Sequence, residues 1–135
     1  MNLTVNTDGG ARGNPGPAGI GVVVRDASNA IVAEHKKYIG EATNNVAEYK
    51  ALILALEEAH KLGCDDLVVN MDSELVVKQM QGLYKIKEPG LKLLAAEALK
   101  LIKNFKRVTF KHVRREFNAE ADALVNEAID AALVR

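Results

Sequence analysis

The sequence predicts an α/β fold: one five-stranded mixed sheet, three antiparallel strands followed by two more added through helical crossovers, with helices flanking it. Three observations lead there. The first 40 residues hold three β-prone runs separated only by turn signals. The remainder alternates amphipathic helical periods with two short β-branched runs. A chain of 135 residues suits one domain with a real core, so residues 1–135 are read as a single domain.

Residues 2–8, NLTVNTD, alternate Leu3 and Val5 against Thr4 and Asn6 and are expected to end at Gly9-Gly10. ARGNPGPAG then reads as a tight polar loop. IGVVVRD (20–26) is a β-branched strand, Ser28-Asn29 a turn, and residues 30–40 its hairpin partner. These three make an antiparallel meander.

The helix that follows places Ala51, Leu52, Ala55, Leu56, Ala59 and Leu62 on one face and Lys50, Glu57 and Lys61 on the other, with Gly63 as its stop. DLVVNMD (66–72) is a short buried strand, and SELVVKQMQ (73–81) a helix started by Ser73. GLYKIKEPG is a loop. Residues 91–105 form an amphipathic helix, 107–113 the last strand, and Asn118 is expected to cap a final helix.

Composition narrows the function. Formal net charge is zero, which argues against binding nucleic acid through bulk positive charge alone, although metal ions can supply that charge locally. There is no Trp, so a surface built on aromatic stacking is disfavoured. A lone cysteine, Cys64, has no internal disulfide partner and fits a reducing compartment. No apolar run is long enough to span a membrane, and MNLTVNTDGG carries no signal region; the expectation is a cytoplasmic monomer with no membrane partner.

Four carboxylates break the pattern around them. Glu48 lies four residues before Leu52, in the middle of an apolar stripe. Asp122 shares the face of Val125, Ile129 and Leu133. Asp8 and Asp72 close the first and fourth strands, at the strand ends where α/β sheets build sites. Each has a local explanation. Asp8 would be a turn former; Asp72 and Asp122 would suit helix dipoles; Glu48 would sit at N3 of a capping box begun by Asn45. Converging, the four would instead form a hard oxygen site for Mg²⁺ or Mn²⁺. Two such ions about 4 Å apart cleave phosphodiesters.

TDGGARGNPGPAG, TNNVAE, MDSELV and HVRREFNAEADAL, in this order, resemble the type 1 ribonuclease H family over nearly the whole chain, with an ending most similar to archaeal-type and retroelement-type members. The resemblance implies the ribonuclease H-like fold and a two-ion site on Asp8, Glu48, Asp72 and Asp122. It implies an endonuclease that cuts the RNA strand of RNA–DNA hybrids and leaves 5′-phosphate and 3′-hydroxyl ends; double-stranded RNA is a further candidate partner. Asn14, Thr43, Asn44 and Asn45 match family positions that contact the substrate, and Gly9 and Gly10 would let the chain approach RNA closely.

Three departures stand out. Glu74 replaces a glutamine that contacts RNA in bacterial members. The basic protrusion is missing, with Lys85 and Lys87 as partial substitutes. The loop before the last helix, RREFN, lacks the mobile histidine of many members, which leaves His112 and Arg115 as candidate helpers; His35 and His60 read as surface residues. Two other functions compete: a non-catalytic nucleic-acid-binding domain on the same fold, and a nuclease of related fold acting on DNA.

Overall fold

Hydrogen bonding joins all five strands into one sheet in the computed structural model, which describes residues 1–134. The strands are β1 (Asn2–Ala11), β2 (Gly16–Arg25), β3 (Ile31–Ala42), β4 (Asp66–Met71) and β5 (Arg107–His112). The helices are α1 (Asn44–Lys61), α2 (Glu74–Met80), α3 (Pro89–Ile102) and α4 (Ala119–Leu133), with a 3-10 turn at Arg115–Asn118 before α4. The order across the sheet is β3-β2-β1-β4-β5. β1 pairs antiparallel with β2, as β2 does with β3; β1–β4 and β4–β5 are parallel. The mixed topology is the one expected, and β1 is the strand where the two pairings meet.

β1 runs past its expected end. Its pairing with β4 stops at Thr7 opposite Met71, whereas its pairing with β2 continues through Ala11 opposite Ala18. Asp8 therefore lies inside the strand, just beyond the point where β4 gives out. The Gly9-Gly10 pair reads locally as a turn, but β2 holds it extended. β2 correspondingly begins at Gly16 rather than at 20, and β3 reaches Ala42 rather than 40.

Two faces of the sheet are covered differently. α1, with α2 and α3 beside it, packs on Leu3, Val5, Val22, Val24, Leu67 and Val69 through Tyr49, Leu52 and Leu56, and this is the main core. α4 lies on the opposite face across β1 and β2. It comes close because β2 presents glycines there: a Cβ on Gly21 would stand 2.5 Å from the Ala121 carbonyl oxygen, and one on Gly19 would stand 2.9 Å from that of Val125. Two helix boundaries also differ from expectation. α3 begins at Pro89, whose fixed φ and missing N–H suit a first helical position, and ends at Ile102. α1 is capped by Thr43, not Asn45: Thr43 Oγ1 accepts the Val46 N–H at 3.2 Å. No helix among the described residues is long and apolar enough to cross a membrane.

Candidate active site

Beyond Thr7, one edge of β1 has lost its strand partner, and α1 replaces it with side chains. Glu48 Oε1 accepts the Gly9 N–H at 2.5 Å, and Asn44 Oδ1 accepts the Ala11 N–H at 2.8 Å. Asn44 and Glu48 are one helical turn apart, a rise of about 6 Å. Gly9 and Ala11 are two strand residues apart, about 6.7 Å. The spacings match, so α1 docks in register along the free edge. Gly9 makes the approach possible: a Cβ there would lie 2.3 Å from the Ala47 carbonyl carbon and oxygen. Its small size serves the docking of α1. With Thr43 as cap, Glu48 sits at N5, so the capping-box explanation does not hold.

The carboxylates meet here. Asp8, Glu48 and Asp72 each offer an oxygen within 4.8 Å of the others. Asp8 and Glu48 are only 7% and 5% exposed, and Glu48 Oε2 is buried with no hydrogen-bond partner. Asp122, on the first turn of α4, stands outside this tightest group but lines the same cavity and adds to the rise of the Asp8 carboxyl.

Burial raises the Asp8 carboxyl far above its ordinary value, and the negative charges of Glu48 and Asp72 push it further. Burial also raises Glu48, against the pull of the Gly9 N–H, and raises Asp72, against hydrogen bonding from Asn118 and the charge of Arg115. Crowded carboxylates of raised basicity with an unpartnered buried oxygen fit a bound hard cation, which would satisfy Glu48 Oε2 and offset the repulsion.

A cavity of about 440 Å³ collects most of the residues singled out from the sequence: Asp8, Gly9, Gly10, Asn44, Asn45, Glu48, Asp72, Arg115 and Asp122. Four stand outside its lining. Asn14 Oδ1 accepts the Asn44 N–H at 3.0 Å, and Thr43 is spent on capping. His112 Nδ1 lies 3.7 Å from Glu74 Oε2, at the end of β5, and neither lines the cavity. Of the two candidate helpers, Arg115 is the one whose charge is felt by Glu48 and Asp72.

Sequence reasoning missed three residues. Asn126 lines the cavity one turn beyond Asp122, a spacing that was available to read. Arg12 lines it too and pairs with Asp130 at 2.7 Å; it was read only as loop. Asn118 does not cap α4 with its side chain. It is buried at 1% exposure and donates to the Thr7 carbonyl at 2.9 Å.

A mixed five-stranded sheet carrying buried carboxylates where β1 and β4 part defines an α/β protein with an acidic cluster that could hold a metal ion. Comparison with known proteins narrows this. The reverse transcriptase-like family matches residues 6–128. The bifunctional protein Rv2228c of Mycobacterium tuberculosis is 50% identical over 133 residues, 98% of this chain. The chain spans only 36% of that relative's length. Ribonuclease HI of Halobacterium salinarum is 47% identical over 93% of this chain and 63% of the relative. The structure of LC11-RNase H1 in complex with RNA/DNA hybrid superposes with a TM-score of 0.94 at 52% identity, over 98% of this chain and 99% of that one. The chain belongs to the type 1 ribonuclease H family.

Proposed function

We propose that this protein is a ribonuclease H: an endonuclease that hydrolyses the RNA strand of RNA–DNA hybrids and leaves 5′-phosphate and 3′-hydroxyl ends. The observation that carries the reading is Glu48 Oε2, buried and unpartnered beside Asp8 and Asp72. Most buried polar atoms find a partner; here a protonated Asp8 can supply one without metal, and a cation supplies it once the cluster is ionised. The LC11 relative, half identical in sequence, was captured with an RNA/DNA hybrid.

Asp8, Glu48, Asp72 and Asp122 would hold two Mg²⁺ or Mn²⁺ ions. When bound, such ions supply the positive charge that activates water and stabilises the leaving 3′-oxygen. The chain's own residues do the rest. Glu48 keeps one oxygen on Gly9, which fixes the direction of the other. Arg115 places a guanidinium at the cavity wall, suited to a phosphate or to the charge that develops on cleavage. Asn44 and Asn14 spend their carbonyl oxygens on backbone N–H groups, so their NH₂ groups are left to donate. With Asn45 they present small polar donors toward a minor groove and its 2′-hydroxyls.

One strand sequence offered as RNA–DNA, RNA–RNA and DNA–DNA duplexes, with Mg²⁺ or Mn²⁺, tests the proposal. RNA-strand cleavage of the hybrid is expected. Binding without cleavage would point to a non-catalytic domain, and cleavage of DNA–DNA to a nuclease of different substrate class.

A further inference from the structure

Two triplets in the sequence, Asn6-Thr7-Asp8 and Asn70-Met71-Asp72, put an asparagine two residues before the carboxylate inside β1 and before the one just past the end of β4. Asn6 therefore shares a sheet face with Asp8. Parallel pairing sets Asn6 directly opposite Asn70, so the two amides are neighbours. They are joined, and the chain of bonds has a direction. Asn70 Nδ2 donates to Asn6 Oδ1 at 3.4 Å, and Asn6 Nδ2 donates to Asn118 Oδ1 at 3.0 Å. Asn118 Nδ2 donates to the Thr7 carbonyl at 2.9 Å, where the pairing of β1 with β4 ends. The same amide also acts on the Asp72 carboxyl, holding it down against the lift of burial.

Asn6 accepts from Asn70 and donates to Asn118, and Asn118 passes the direction on to the Thr7 carbonyl. With its oxygen taken by Asn6, Asn118 has no freedom to flip, and its NH₂ is held on the Thr7 carbonyl, one residue before Asp8. Amides suit the task. A charged side chain would add to the local field, and a hydroxyl would lack a second, fixed donor. The ladder links β4, β1 and the turn before α4, which are the segments that deliver Asp72, Asp8 and Asp122.

We propose that Asn118 and Asn6 are positioning residues that hold Asp72 and the Asp8 segment at ligand spacing and so set the affinity for the divalent cation. The proposal rests on the nuclease reading above, because it assumes a cation at the carboxylates. Neither asparagine is a metal ligand; they act through the ligands, as outer-shell partners do at other metal sites.

The test is calorimetric Mn²⁺ binding to the purified full chain without substrate, with melting curves alongside. Asn118→Ala is expected to weaken Mn²⁺ binding by about 10- to 100-fold, and Asn6→Ala by roughly tenfold although Asn6 touches no carboxylate. The double variant is expected to lose little more than Asn118→Ala alone, since both cut one ladder. In cleavage assays, raising Mg²⁺ is expected to restore much of the turnover of Asn6→Ala. Should Asn118→Ala fail to fold, Asn118→Ser and Asn6→Ala carry the same measurement. Lower melting temperatures with parental Mn²⁺ affinity would overturn the proposal and leave the ladder a packing device. A parent chain that binds no Mn²⁺ would overturn the nuclease reading itself, a result distinct from a defect confined to the variants.

Discussion

Glu48 Oε1 and the backbone N–H of Gly9 form a 2.5 Å hydrogen bond that stands where β4 would otherwise have paired. One carboxylate thus does two jobs, completing a sheet edge with one oxygen and facing the acid cluster with the other. The jobs separate by substitution. Glu48→Gln keeps an acceptor for Gly9 and removes the charge, so its melting temperature should match or exceed the parent's, while single-turnover cleavage at saturating Mg²⁺ should fall at least ~100-fold. Glu48→Ala leaves the Gly9 N–H unsatisfied and should cost stability as well, about 1–3 kcal/mol by urea denaturation.

Asp8→Asn and Asp72→Asn should each nearly abolish hybrid cleavage in folded protein, because an amide removes the charge that holds the ions. Near-parental turnover in either variant would remove that residue from the proposed site. Without metal, Asp8→Asn should melt at or above the parent's temperature, since it relieves repulsion from Glu48 and Asp72.

The same crowding makes apo stability depend on pH. Burial, reinforced by neighbouring charge, raises Asp8 from 3.8 to about 9, and burial raises Glu48 and Asp72 as well. Between the ordinary and the raised values the folded chain holds protons that the unfolded chain has released. This contribution is complete below the ordinary carboxylate range and is lost as pH climbs toward the raised values. The apo melting temperature should therefore drop between about pH 5 and pH 8, less steeply in Asp8→Asn, and Mg²⁺ should reduce the drop by binding the deprotonated form.

Arg115 and His112 give opposite expectations. Arg115→Ala should lower turnover by about 10²-fold, on the scale of losing a charge-stabilising donor. His112→Ala should stay within about threefold of the parent, because its ring pairs with Glu74 outside the cavity. Single-turnover rates of both variants decide it, and a larger loss at His112 would reverse the assignment.

Gly21→Ala should destabilise by about 1–3 kcal/mol, toward the upper end because the methyl meets the Ala121 backbone carbonyl and cannot push aside a flexible side chain. The variant should also bind Mn²⁺ more weakly, since α4 carries Asp122.

The five strands and the inward turn of Glu48 were legible because they follow from patterns a few residues long: β-branched runs, glycine and asparagine turns, and a carboxylate set in an apolar stripe. Less legible were features that depend on distant partners. The end of β1 was misplaced because Gly9-Gly10 has turn chemistry, and it is distant partners, β2 on one edge and Glu48 and Asn44 of α1 on the other, that hold it extended. Asn118 satisfies every local rule for a cap, yet its side chain is drawn to Thr7, 111 residues away. Arg12 lies in a glycine-rich loop, and nothing nearby in sequence marks its pairing with Asp130.

The order in which these parts occur along the chain bears on biosynthesis. Every strand is complete by His112, whereas Asn118 and Asp122 follow it. A chain interrupted just after β5 therefore has every strand of the sheet but lacks the last carboxylate and the amide beside Thr7. The cluster of four is complete only once α4 is seated against Gly19 and Gly21. A chain stalled or truncated before that point would leave the face for α4 bare and hold no working nuclease.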